Sequence, residues 1–455
     1  MKIDSLNYKN DPLFYEEEVF INDTLNIYKI LMDKEYMLSN NKGQILKKCP
    51  YVYDEKDEIK KIIKSIDEES FIKLRKLLSN YLCNKTIRKD TFDNWLNKKT
   101  YPLPLIRIIS ILINKELVKI IKDKKITDFC NRAKIKLPLN REIVISDFLA
   151  YLIGLHLGDG TLNKERWKIV DGDREQINLK YTYEFLNKIA NKVKKIFLIK
   201  NIFIYPVKGK GAYELIIPNK WFCKYLKFVY GLDYNTKQNP KIPYTLKNKK
   251  EIVLRGLMDS DGSIKNYRTS VSTKYPRLCS EIKSILKKHK IEYKEKLNNI
   301  QRKNIVYIIE IKKESIVKFI QIIGFSHPRK LNEVIKYLNT TSSLSIFLGY
   351  LNYKPKISEK EFIEVCNFLR PIKNAGKVRF ISEFNKLKEN EKNRIINNLK
   401  LNFEVNKEPN KKGYIYSYKI EKILTNHCIY KKNRDPMNKK EINNLVVNLN
   451  SIWKQ

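Results

Sequence analysis

Acidic side chains are scarce in this sequence: 50 Asp and Glu stand against 91 Lys and Arg in 455 residues, a formal charge of +41. An excess of that size repels itself unless a polyanion neutralises it, so nucleic acid is the first partner to expect. Cysteines are few and scattered, at Cys49, Cys83, Cys130, Cys223, Cys279, Cys366 and Cys428. Their odd number and the lack of any C-x-x-C pair argue against a disulfide framework or a zinc site, and point to free thiols in a reducing compartment. The opening MKIDSLNYKNDPLFYEEE has no apolar signal core, and no run of 18 uncharged apolar residues follows. The expectation is therefore a soluble, cytoplasmic protein with no membrane partner. Hydrophobic residues make up 42% of the chain, enough for ordinary buried cores, and the length allows two to four domains.

The positive charge is uneven. Residues 1–100 hold 19 basic and 17 acidic side chains, residues 151–350 hold 39 and 17, and residues 351–455 hold 23 and 11. The polyanion footprint thus begins in the middle of the chain. Residues 1–50 are polar, with a short helical pattern near Leu25 to Met32, and carry no usable motif. From Glu58 to about Ile113 apolar residues recur at helical spacing, which predicts a small helical domain over 51–120. Within it, Lys89 to Lys99 reads as an amphipathic helix capped by Asp90 or Thr91, with Phe92, Trp95 and Leu96 inward. This segment resembles the recognition helix of Cro-type and repressor-type helix-turn-helix regulators, which would bring Arg88, Lys89, Asn94 and Lys98 to DNA. Residues 121–144 read as a linker, and 351–455 as a small basic α+β accessory domain, with helical stretches at Glu359 to Leu369 and Val378 to Leu399 and a hairpin near Lys411 to Tyr418.

The chemistry lies in a duplication. Asp147 to Gly160, DFLAYLIGLHLGDG, is an almost uncharged helix ending on Asp-Gly, and Glu251 to Gly262, EIVLRGLMDSDG, is a second copy. They share Leu-x-Gly-Leu-x-x-[Gly/Ser]-Asp-Gly, offset by 102 residues. One copy is weak evidence, whereas two copies a half-domain apart are strong. Gly154 and Gly158, like Gly256 and Ser260, are four apart on one helical face, so two such helices can pack backbone to backbone. Their C-terminal ends then meet, with Gly160 and Gly262 expected as left-handed C-caps and Asp159 and Asp261 projecting side by side. Two carboxylates at helix ends of negative dipole repel each other unless divalent cations lie between them, and Mg²⁺ takes hard oxygen ligands. Asp159 and Asp261 are therefore the expected metal ligands, with Gly158 and Ser260 included in the expected metal site.

The paired copies resemble the signature of the LAGLIDADG homing endonucleases in their single-chain, two-motif form. The resemblance covers about residues 145–350. It implies an α+β core of two pseudo-symmetric αββαββα units, 145–250 and 251–350, whose antiparallel sheets make a saddle for double-stranded DNA. The residue pattern between the motifs agrees, with extended runs near Trp167 to Val170, Ile202 to Val207 and Ala212 to Ile217 and helices over Tyr183 to Val193 and Trp221 to Tyr230. The second half repeats this with extended runs at Tyr267 to Thr273, Ile291 to Leu297 and Asn304 to Ile311, and helices over Pro276 to His289 and Ser315 to Ile323. The resemblance also implies that Asp159 and Asp261 are the catalytic acids, in a monomer with internal pseudo-two-fold symmetry that hydrolyses both strands with Mg²⁺, one scissile phosphate per aspartate, on a long target. At His156 and Leu157 the first copy departs from the family pattern, while Asp259 keeps the earlier aspartate in the second.

The family carries a lysine after each half, near the metals. The matching residues are Lys237, with Lys241 as competitor, and Lys330. His327 could serve as a base but has no counterpart in the first half. DNA contacts are expected from Arg166, Lys168, Arg174, Lys208, Lys210, Lys265, Arg268, Lys274, Arg302 and Lys303. Met1 and the closing Ser451-Ile452-Trp453-Lys454-Gln455 lack splicing residues, so an intein is not expected. The alternatives are a non-cutting regulator of the same architecture and an RNA-binding intron maturase.

Overall fold

The computed structural model describes residues 20–21, 24–25, 31, 49–82, 87–113, 115–128, 134–173, 178–235, 237, 240–265, 268–300, 304–339, 405–410, 413–418 and 439–453. Of the residues expected to matter, Arg174, Arg302, Lys303 and the stretches 359–369 and 378–399 lie outside this set. The chain divides into two units. One comprises residues 1–264, 268–330 and 449–455, and the other residues 265–267 and 331–448.

The first unit holds the duplication. Its first half runs α1 (Asp147–Gly158), β1 (Gly160–Leu162), β2 (Trp167–Gly172), α2 (Leu179–Phe197), β3 (Phe203–Pro206), β4 (Ala212–Ile217) and α3 (Lys220–Tyr230). The second runs α4 (Lys250–Ser260), β5 (Gly262–Lys265), β6 (Arg268–Thr273), α5 (Pro276–Lys288), β7 (Tyr293–Ile300), β8 (Asn304–Ile311) and α6 (Ile316–Ile322), with α7 (Pro328–Asn339) following. Both halves are thus αββαββα. The sheets have the same order, β1-β2-β4-β3 and β5-β6-β8-β7. The β2–β4–β3 and β6–β8–β7 pairings are antiparallel. The alternating apolar residues expected of strands buried on one face are those that point inward: Trp167, Ile169, Leu215 and Ile217 in one sheet, Val271, Ile309 and Ile311 in the other. Strands β1 and β5 start on the Asp-Gly glycines themselves and are too short to show an alternating pattern in sequence.

Helices cover the inward faces. In the first half Phe197 of α2 meets Phe222 and Tyr225 of α3 with ring centroids 4.9 and 5.4 Å apart, and Trp167 reaches Phe222 at 6.2 Å. The side chain of Asn219 caps α3 by accepting from the Trp221 and Phe222 amides at 3.0 and 3.1 Å. Gly231 and Gly324, with φ of 65° and 64°, follow the last helices of the two halves in the left-handed conformation. The chain's C-terminal residues also serve this unit. Ile452 is fully buried, and the Trp453 ring lies 5.5 Å edge-on from Tyr151 and 6.1 Å from Phe185.

The N-terminal region of the first unit is helical, as expected, with helices Glu58–Lys64, Glu68–Leu82, Lys89–Lys98 and Leu103–Leu112. It also contains a three-stranded antiparallel sheet of Thr100–Pro102, Tyr51–Tyr53 and Lys125–Thr127, so the stretch read as a linker supplies one of its strands. Helix Lys89–Lys98 buries Phe92 and Trp95 and exposes Arg88, Lys89, Asn94 and Lys98. Its N-cap position is Arg88, with no side-chain cap, rather than Asp90 or Thr91. In the second unit, Val405–Asn410 and Gly413–Tyr418 pair antiparallel, where a hairpin was expected around Lys411 to Tyr418. No helix among the described residues is long and apolar enough to cross a membrane.

Candidate active site

The site is built on the crossing of α1 and α4. Helix α1 is buried from Phe148 to Leu157 and α4 from Val253 to Asp259, so both are central helices rather than amphipathic ones. The crossing is possible only because small residues meet in it. A Cβ on Gly154 would lie 2.0 Å from the Val253 carbonyl oxygen and 2.9 Å from the Gly256 Cα, and one on Gly256 would lie 2.2 Å from the Tyr151 carbonyl oxygen. A Cβ on Gly158 would fall 1.9 Å from the Ser260 hydroxyl. All four predicted small residues therefore sit in the contact.

Gly160 and Gly262 are needed for a different reason from the one expected. Neither has a positive φ, and the C-cap positions are taken by Asp159 and Asp261 with ordinary right-handed angles. Each glycine starts a strand that folds back against its own helix: a Cβ on Gly160 would lie 2.4 Å from the His156 Cα, and one on Gly262 would lie 2.4 Å from the Met258 carbonyl oxygen. The requirement is close approach, not handedness.

Asp159 and Asp261 both line a cavity of about 630 Å³, with Thr161 and Leu162 on one side and Ser272, Thr273 and Lys274 on the other. Both are solvent-exposed at the cavity but backed by dense protein. Desolvation raises the Asp261 carboxyl to about 6, the charge of Asp159 adds to the rise, and Lys237 and Lys330 oppose it. Asp159 is raised by desolvation and then by Asp171. Two carboxylates that resist ionisation together, both hard oxygen donors at an open cavity, fit a divalent cation that keeps several waters or phosphate oxygens. Among the described residues no cluster of three or more His, Cys, Asp or Glu gathers to hold a metal, and solvent or substrate oxygens would add to the two carboxylates in a ligand set.

The two lysines occupy matching positions, each six residues after a left-handed glycine. Lys237 donates to the carbonyls of Leu157, at 3.1 Å, and Gly158. Lys330 donates to those of Met258, Asp259, Ser260 and Gly262 at 2.8, 2.6, 3.2 and 2.7 Å. Each ammonium thus caps the C-terminus of one motif helix, where carbonyls lack partners and the helix dipole is negative. They differ in access. Lys237 lines the cavity, and desolvation lowers it to about 8. Lys330 is 4% exposed, with its protons directed at carbonyls, and stands away from the cavity wall. Lys241 is exposed and also outside the cavity lining. The Gly158 carbonyl is occupied by Lys237, and the Ser260 hydroxyl bonds back to Leu257 O at 3.0 Å.

Other residues singled out in or near the motif hold the site together, in contacts their spacing did not indicate. Asp259 is buried, and its Oδ2 accepts from Tyr151 OH at 2.6 Å and from the amides of Ser326 and His327 at 2.7 and 3.0 Å. It therefore bolts α4 to α1 and to the segment leading to Lys330. In the first half Leu157 holds the matching position, and the neighbouring His156 accepts a hydrogen bond from Trp167 Nε1 at 3.2 Å. Burial holds His156 neutral, with its pKa lowered to about 3. His327 Nδ1 accepts from the Arg329 amide at 3.2 Å, and its Nε2 faces Asp171 Oδ2 at 3.0 Å. With Arg329–Asp173 at 2.9 Å, it ties the end of β2 to the second half and does not line the cavity.

Residues 249–324 match the model of the LAGLIDADG-like domain, across α4 and nearly all of the second half. The second motif copy lies in a LAGLIDADG-like segment. The resemblance read from the paired motifs thus has an independent match in the second copy. No curated protein matches the sequence. Solved structures similar to it include mesophilic variants of the homing endonuclease I-DmoI (18% identity, 40% of this chain and 97% of that one, TM-score 0.29), I-DmoI in complex with DNA and Mn (19%, 40% and 97%, 0.29) and the homing endonuclease I-WcaI bound to its DNA recognition sequence (19%, 42% and 87%, 0.31).

Around the LAGLIDADG-like segment and its first-half counterpart, the basic residues expected at DNA are not equivalent. Arg166, Lys208, Lys210, Arg268 and Lys274 are exposed, and Lys274 lines the cavity. Lys168 is half-buried and paired with Glu214 at 2.8 Å. Lys265 ends β5.

Proposed function

We propose that the chain is a site-specific DNA endonuclease of homing type, which cleaves both strands of a long duplex target with a divalent metal, Mg²⁺ in the cell. One observation carries this reading: two aspartates, one from each copy of the motif, stand at the ends of a glycine-packed helix pair and share one cavity. The catalytic core is assigned to residues 145–350, working as a monomer with internal pseudo-two-fold symmetry, and the N-terminal and C-terminal regions to additional DNA contact.

Asp159 and Asp261 would hold the metal, one beside each scissile phosphate. Bound there, a divalent cation supplies Lewis-acid activation of water and neutralises charge on the attacking and leaving oxygens. Lys237, facing the same cavity, offers a cation to the phosphate in its transition state. Lys330 acts at one remove, holding the end of α4 and so the position of Asp261. Exposed Arg166, Lys208, Lys210 and Lys274 meet the DNA backbone, so affinity falls with salt at a slope of about −0.9 per phosphate neutralised.

The test is incubation with Mg²⁺ and a library of long duplexes, beside Asp159→Asn and Asp261→Asn variants. Specific double-strand cleavage that both substitutions abolish supports the endonuclease. Tight sequence-specific binding with no cut in any divalent metal would replace it with a non-cutting regulator, and preference for structured RNA with an RNA-binding maturase.

A further inference from the structure

The two sheets present outward faces that their helices leave uncovered, and side chains at matching positions on them differ in kind. In the first half one row crosses the strands as Thr161, Lys168, Ile216 and Phe203, and the next as Val170, Glu214 and Tyr205. In the second half the matching rows are Ser270, Glu310 and Lys294, then Ser272, Ile308 and Lys296. The motif offset that relates Asp159 to Asp261 also relates Lys168 to Ser270, so Phe203 stands where Lys294 stands and Tyr205 where Lys296 stands. The outer strand is thus aromatic in one half and cationic in the other.

Phe203 and Tyr205 are 40% and 50% exposed, and their rings stack with centroids 5.8 Å apart and planes 16° from parallel. Lys294 and Lys296 are exposed as well, and Lys296 pairs across the sheet with Glu310 at 2.5 Å, a contact that a guanine acceptor would have to replace. Two large apolar rings side by side in solvent are an unfavourable surface without a partner. These faces run directly from the cleavage site: Thr161, in the Phe203 row, and Ser272, in the Lys296 row, both line the aspartate cavity. Lys208 and Lys210, exposed in the β3–β4 turn, flank the aromatic strand with charge suited to a phosphate backbone.

On the endonuclease reading the sheet faces lie against DNA, and we propose that Phe203 and Tyr205 in one half and their counterparts Lys294 and Lys296 in the other select different bases. Phe203 and Tyr205 pack on thymine methyl groups in the major groove of one half-site, whereas Lys294 and Lys296 donate to the O6 and N7 acceptors of guanine in the other. The target is then chemically asymmetric about the cut, although the protein is pseudo-symmetric. The inference rests on the endonuclease reading above, because it takes duplex DNA as the occupant of both faces.

Selection of bound sequences from randomised duplexes tests it, using the full chain in Ca²⁺ so that binding is read without cleavage. The wild type should enrich thymine on one side of the centre and guanine on the other. Phe203→Ser with Tyr205→Ser should erase the thymine preference alone, roughly fourfold per methyl contact, and Lys294→Ala with Lys296→Ala the guanine preference alone, by roughly five- to a hundredfold per contacted base. Both pairs are surface substitutions, and circular dichroism confirms that the fold is kept. Unchanged preferences in both double variants overturn the proposal while leaving the endonuclease reading intact. Preferential binding of unpaired RNA, lost with Phe203→Ser and Tyr205→Ser, overturns both, as does the absence of any duplex binding.

Discussion

Replacing Gly154 by Ala tests whether close helix crossing positions the aspartates. The new Cβ would begin 2.0 Å from the Val253 carbonyl oxygen, where ordinary contact starts at 3.4 Å, so the helices must part locally by roughly 1.4 Å. The obstacle is backbone, which cannot rotate away as a side chain would. Overpacking of this kind costs about 1–3 kcal/mol, and a backbone obstacle places Gly154→Ala at the upper end. A separation of that size also spoils the shared geometry of Asp159 and Asp261, and with it metal affinity. Gly209→Ala is the control: Gly209 has a φ of +71° but nothing within 4 Å of an added Cβ, so it should lose only about 1–2 kcal/mol of left-handed strain and keep its metal binding. Urea denaturation gives the stabilities, and calorimetric titration with Mn²⁺ the metal affinities. If Gly154→Ala stays within about 0.5 kcal/mol of the wild type and binds metal equally well, the crossing does not set the site.

Further outcomes follow from the titrating groups and the buried contacts. Because the folded protein holds the Asp261 proton up to about pH 6, against an ordinary value of 3.8, this group favours the metal-free fold most at low pH, and that contribution is lost as pH rises through about 6. Metal binding requires the ionised form, so Mn²⁺ affinity should climb over the same interval. Lys237 loses its proton near pH 8, so cleavage should be bell-shaped between about 6 and 8, and Lys237→Met should lack the alkaline limb. A rate that is flat across pH 5 to 9 would remove both assignments. Lys330→Met leaves the carbonyls at the end of α4 uncapped and should destabilise by about 3–5 kcal/mol, against under about 2 for the more accessible Lys237→Met. Equal losses in denaturant melts would contradict this division. Trp453→Ala should cost about 3 kcal/mol by emptying the aromatic contact with Tyr151 and Phe185, and a change below about 1 kcal/mol would show that the C-terminal residues do not hold the core.

Much of this protein is written locally. The duplicated Leu-x-Gly-Leu-x-x-[Gly/Ser]-Asp-Gly segments, the spacing of their small residues and the strand and helix patterns between them were legible because each reflects short-range periodicity or direct chain chemistry. The strand Ala212–Ile217 lies where its alternation places it, and helix Pro276–Lys288 differs from its expected end by one residue. Strands Gly160–Leu162 and Gly262–Lys265 were not legible, since three or four residues carry no period and depend on the neighbouring strand for pairing. The left-handed caps expected at Gly160 and Gly262 failed for a related reason: a glycine required by steric approach looks the same in sequence as one required by φ.

The sequence by itself therefore determined which two carboxylates belong together and that a basic, duplicated core surrounds them. Tertiary structure alone decided what faces them. It placed Lys237 in the cavity and buried the equivalent Lys330 among carbonyls, drew Asp259, Tyr151 and His327 into one hydrogen-bonded bolt, and set Phe203 opposite in kind to Lys294. None of these follows from spacing along the chain, because each depends on which residues from distant segments the packed helices and paired strands bring within a few ångströms of one another.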